Sequence, residues 1–140
     1  MLDFSGRSRR LEYWLFAVTY CAIQIVLVGI FDAAGGKSGG PAADILGTVQ
    51  VLVAFLLIVP GLSVSVRRLH DTNRSRKWLL LLIAPPIVWM FFLFSGLDHT
   101  LIYQIFMTAY LASAIVFLIF TLLPGATGSN DYGPDPKALT

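Results

Sequence analysis

Long apolar runs separated by short polar stretches set the pattern of this chain. From Tyr13 to Phe31 no residue is charged, and at about 1.5 Å of rise per residue such a run reaches across a hydrocarbon core. Three further uncharged runs follow, from Ile45 to Val66, Trp78 to Phe94 and Leu101 to Leu123. The pattern predicts an all-α membrane protein, a bundle of four transmembrane helices over about 13–31, 45–66, 78–94 and 101–123. Residues 1–140 then form one integral membrane domain, with a polar tail over 124–140. Pro60 lies in the second run and Pro85-Pro86 in the third. Because proline lacks an amide donor, kinks are expected in helices 2 and 3. The Gly- and Ala-rich stretch from Asp32 to Asp44 reads as a flexible linker, and Ser95 to Thr100 as a short turn.

Composition strengthens this picture: 56% of residues are apolar and only 13% charged, about half the charged share of soluble domains. The net charge of +2 says little, because the cations are unevenly placed. Nine of the ten Lys and Arg residues fall in the N-terminal segment, the stretch between the second and third runs, and the tail. Positive loops stay inside, so both termini are expected in the cytoplasm.

Five of those cations stand in the thirteen residues from Val66 to Trp78, V-R-R-L-H-D-T-N-R-S-R-K-W. If helix 2 continues through Asp71, the carboxylate lies one turn from both Arg67 and Arg68. One reading is topological: Asp71 neutralises the arginines, His70 bonds to a loop carbonyl, and the other cations meet phospholipid headgroups. The other is a binding site. Arg67, Arg68 and Arg74, helped by Arg7 and Arg10 and flanked by His70 and Asp71, would hold an anionic headgroup, a small metabolite or an acidic segment of a membrane partner. The planar guanidinium fork suits phosphate oxygens. Partners expected on either reading are phospholipid headgroups and a membrane protein or second copy of the chain, with no role for nucleic acid.

Catalytic signals are weak. Neighbouring His70 and Asp71 point to different helix faces and no activated Ser or Cys accompanies them, so no hydrolytic triad is expected. Metal binding needs more ligands than these two, and His99 falls on the opposite side of the membrane by the charge count. Gly36-Lys37-Ser38 resembles the end of a phosphate-binding loop, but Phe31 stands where that loop needs glycine. Ser8-Arg9-Arg10 is followed by Glu12 and Tyr13 rather than apolar residues, so an uncleaved helix is expected instead of an export signal. Cys21 has no partner cysteine and reads as a packing residue. No cofactor and no enzymatic activity are expected. The alternative function is a small-solute carrier or pore-forming subunit, against which stands the absence of charge in all four runs.

Three blocks carry a family resemblance: Phe4-x-Gly6-Arg7-x-x-Arg10-x-Glu12-Tyr13-Trp14, Arg67-Arg68-Leu69-His70-Asp71 with Arg74-Ser75 and Trp78, and Pro124-Gly125-x-x-Gly128-x-Asn130-x-Tyr132-Gly133-x-Asp135-Pro136. In order and spacing the chain resembles the bacterial inner-membrane proteins called domain of unknown function 805. The resemblance implies a small integral membrane protein with no established activity and supplies no catalytic residue. Members commonly carry Ser-Gly-Trp-Trp after the central block, whereas Ser75-Arg76-Lys77-Trp78 stands here. The added cations imply stronger anchoring to anionic lipid.

Overall fold

A computed structural model describes residues 4–36, 39–93 and 100–138. Four α-helices account for most of them: α1 (Arg10–Ala33), α2 (Pro41–Asp71), α3 (Leu80–Leu93) and α4 (Thr100–Leu122), with a 3-10 turn over Arg76–Leu79 leading into α3. Among the described residues there is no strand, only an isolated bridge between Asn130 and Gly133.

The helices are longer than the apolar runs at several ends. Proline suits a first helical turn, where its missing N–H has no intrahelical acceptor to lose, and α2 opens on Pro41 rather than after Asp44. At 31 residues α2 is about 46 Å long, against a hydrocarbon core of about 30 Å. Its last turn, carrying Arg67 to Asp71, therefore extends past the apolar run. Helices α1, α2 and α4 are long and apolar enough to cross a membrane. Helix α3, at 14 residues, is about 21 Å long. The turn expected over Ser95 to Thr100 lies almost wholly outside the described residues, as do Lys37 and Ser38. Both α2 and α3 continue as helix through their prolines.

The chain divides into two compact units. The first, Met1–Phe4 with Leu11–Ser65, holds most of α1 and α2. No residue of α1 is buried, and Val18, Ile25, Leu52, Phe55 and Leu56 are all exposed. Water does not tolerate so much continuous apolar surface; acyl chains do. Helices α1 and α2 are neighbours: a methyl group added at Gly61 would lie 3.4 Å from the Phe16 ring, and one at Gly47 3.4 Å from Phe31, both ordinary van der Waals contacts.

The second unit comprises Ser5–Arg10 and Val66–Thr140. Here α3 and α4 form an antiparallel pair along which aromatic rings meet. Trp78 stands edge-on to Phe120 at 5.0 Å, while Trp89 lies 5.0 Å from Tyr103 and 5.9 Å from Phe106. Its buried apolar residues, Val66, Leu69, Leu79 and Phe117, surround a set of buried polar side chains rather than a purely greasy interior.

Candidate functional site

That polar set is built on the end of α2. Thr72 to Arg74 stop the helix in a Schellman arrangement: the Arg74 N–H donates to Leu69 O at 2.9 Å and the Asn73 N–H to His70 O at 3.0 Å. Asn73 takes the left-handed conformation this requires, at φ 55°. Three carbonyls of this last turn also accept from distant segments. Arg67 O accepts from Ser8 N at 3.1 Å, His70 O from Asn130 Nδ2 at 2.8 Å, and Asp71 O from Ala126 N at 2.7 Å.

Asp71 is the centre. Its Oδ1 accepts from Arg7 Nε at 3.1 Å and lies 3.1 Å from Arg7 Nη2, and its Oδ2 accepts from Arg68 Nη1. The spacing from Arg68 to Asp71 is one helical turn, as expected, but the second guanidinium on this carboxylate is Arg7 and not Arg67. Both arginine side chains are sealed, 1% and 0% exposed. One carboxylate cannot satisfy two buried guanidinium groups, and backbone carbonyls complete their shells. Arg7 donates through Nη1 to Gly128 O at 2.6 Å and through Nη2 to Ala126 O. Arg68 donates through Nε to Thr121 O at 3.1 Å and through Nη2 to Leu123 O. The last two acceptors belong to the end of α4, where helical carbonyls lack partners and the dipole is negative, so a cation there is favoured. Arg10 Nη1 approaches Leu122 O at 3.4 Å in the same way.

The tail is held by the same knot. Gly125 lies against the Asp71 carboxylate so closely that a Cβ would collide with it. Asn130 turns the chain through its own side chain, Oδ1 accepting from Tyr132 N at 2.9 Å, and this sets the Tyr132 ring flat on His70 with centroids 3.8 Å apart. His70 Nδ1 faces Gly6 O at 3.2 Å, a contact that calls for the Nδ1–H tautomer. Burial holds the His70 imidazole below its ordinary range, against the Gly6 carbonyl and with the Arg76 charge. Asp135 is held below the usual carboxylate range, first by the Lys137 backbone N–H, and it accepts from Gly128 N at 3.2 Å. Arg9 Nε reaches Pro136 O at 3.0 Å.

The structure thus brings Arg7, Arg68, His70 and Asp71 together as interior groups. Arg10 is exposed. Arg67 is half-buried, and its Nε is buried with no acceptor among the described residues. Arg74 lies over the Phe120 ring, its guanidinium carbon 4.2 Å from the centroid. Sequence reasoning did not find Phe120, Thr121 or Ala126, because the last two act through carbonyls that every residue type carries.

A family model described as "Protein of unknown function (DUF805)" matches residues 1–134. The Escherichia coli K12 protein named "Inner membrane protein YhaH" is 33% identical over 136 residues, covering 97% of this chain and 88% of the relative. "Inner membrane protein YhaI" of the same organism is 34% identical, covering 97% and 87%. "Uncharacterized protein YiiR", also from that organism, is 27% identical over 140 residues, covering 98% and 88%. No solved structure matches the chain.

Proposed function

The chain belongs to the DUF805 family, and on that premise we propose that it is a non-catalytic inner-membrane protein whose charged cytoplasmic face binds anionic lipid headgroups. The observation that carries this is a division among its cations. Arg7 and Arg68 are consumed by Asp71 and backbone carbonyls, whereas Arg10, Arg76 and Lys77 stay exposed beside the end of an apolar helix. Buried pairs hold a surface in shape; exposed cations at a bilayer attract anionic headgroups.

The proposal includes four spans with both termini cytoplasmic and bends at Pro60 and Pro85-Pro86. The relatives named as inner membrane proteins support the location. The knot supports the topology. Arg7 before α1, Asp71 at the end of α2 and Ala126 after α4 are within hydrogen-bonding distance of one another, which supports a topology with all three on one side of the bilayer. An even number of crossings must separate them. If α4 crosses, the stretch around α3 crosses as well. The concentration of Lys and Arg supports that side being cytoplasmic.

Two measurements test the reading. Alkylation of single cysteines placed at position 5, 73 or 130 in intact spheroplasts should fail, and labelling from outside at any of them would refute the topology. Native mass spectrometry of gently extracted protein should show retained anionic phospholipid. Solute flux through reconstituted vesicles with no retained lipid would favour a carrier instead.

A further inference from the structure

We infer that Arg74, Arg76 and Lys77, backed by Phe120 and Trp78, seat the phosphodiester of one anionic glycerophospholipid. This rests on the lipid-binding reading above and names its site. In contrast to Arg7 and Arg68, no carboxylate among the described residues pairs with any of these three cations. The Arg74 side chain makes one hydrogen bond to the described chain, Nη1 to Thr72 O at 3.2 Å. Its guanidinium carbon lies over the Phe120 ring, 4.2 Å from the centroid, a contact that restrains the group without using its N–H donors. Arg76 and Lys77 follow on the exposed side of the 3-10 turn.

Phe120 is itself well placed. The adjoining residue, Thr121, is buried and its carbonyl accepts from Arg68 Nε at 3.1 Å, so the buried knot holds the platform on which Arg74 lies. A cation fixed before its ligand arrives loses less freedom on binding.

The neighbourhood selects a lipid rather than a dissolved anion. Trp78 stands edge-on to Phe120 at 5.0 Å and is 43% exposed, and Leu80, two residues on, is 59% exposed. Cations, an amphipathic indole and bare apolar surface thus follow one another from Arg74 to Leu80, the order met on passing from headgroup to acyl chain. A free phosphate would use only the first of these.

The experiment is a native mass spectrometric titration of the delipidated full chain in detergent with phosphatidylglycerol, phosphatidylcholine or inorganic phosphate. The wild type should take up one phosphatidylglycerol in preference to phosphatidylcholine, and excess inorganic phosphate should not displace it. Replacing Arg74, Arg76 or Lys77 singly by Gln should weaken uptake about fivefold each, whereas Lys137→Gln, which removes the same charge from the tail, should not. Phe120→Leu keeps apolar bulk but removes the ring face, and should weaken uptake about threefold. Unchanged melting temperatures for the Arg76→Gln and Lys77→Gln proteins would confirm that the loss is not misfolding. Equal uptake by the triple Gln variant and the wild type overturns the seat while leaving the lipid-binding reading intact. Absence of lipid uptake by the wild type overturns both. Displacement by inorganic phosphate overturns the lipid assignment.

Discussion

Arg7 and Asp71 are 64 positions apart in the sequence, and their buried side chains meet at 3.1 Å. Between them lie a whole helix and most of another, so this contact joins the N-terminal segment to the end of α2. Arg68 closes on the same carboxylate from within α2, and the tail follows through Ala126 and Gly128.

Removing the central charge should therefore be severe. Asp71→Ala leaves two sealed guanidinium groups facing each other without a counter-ion, at a cost of about 3–5 kcal/mol. Fluorescence-detected size exclusion should show little folded protein. Arg7→Gln should be milder than Asp71→Ala, since Arg68 and Asp71 still pair.

Glycine positions separate steric need from helix preference. Gly125→Ala puts a methyl group onto the Asp71 carboxylate and should cost about 1–3 kcal/mol. Gly29→Ala meets nothing within 4 Å and sits inside α1, so it should be neutral or stabilise by up to about 1 kcal/mol. Melting temperatures in detergent compare the two directly.

At Asn73 the backbone, not the side chain, is the constraint. With φ at 55°, Asn73→Gly should be tolerated, whereas Asn73→Val should destabilise by about 1–2 kcal/mol. Equal melting temperatures for the two variants would contradict this account of how α2 stops.

His70 makes stability depend on pH. Burial favours the neutral imidazole, so its folded pKa lies below its ordinary value of 6.5 and the unfolded chain binds the proton more readily. The stabilisation is complete above pH 6.5 and is lost as pH falls toward the folded pKa. Protonation would also add charge near Arg76, with Tyr132 stacked on the ring and Gly6 O its carbonyl partner. His70→Gln should flatten the dependence of melting temperature on pH between about 5 and 7. An unchanged slope would assign it to another group.

The site was partly legible before folding. One-turn spacing placed Arg68 beside Asp71, and the clustering of cations marked the charged end. What spacing did not reveal was which arginine completes the pair. Arg67 and Arg7 are equally cationic, and only the path of the N-terminal segment, pinned by the Ser8 N–H on Arg67 O, brings Arg7 to the carboxylate. Nor did it separate the cations that are buried from those that face outward.

The sequence by itself determined that the chain is helical and made for a bilayer, because hydrophobicity and rise per residue are local properties that add along a run. It also marked three polar blocks, at the N-terminus, after the second run and in the tail. Only the tertiary structure decided that these blocks form one buried knot and that Arg74, Arg76 and Lys77 are left outside it. The reason is that most of the knot's acceptors are main-chain carbonyls at helix ends and in the tail. Their chemistry is the same at every position, so only their placement in space gives them a role.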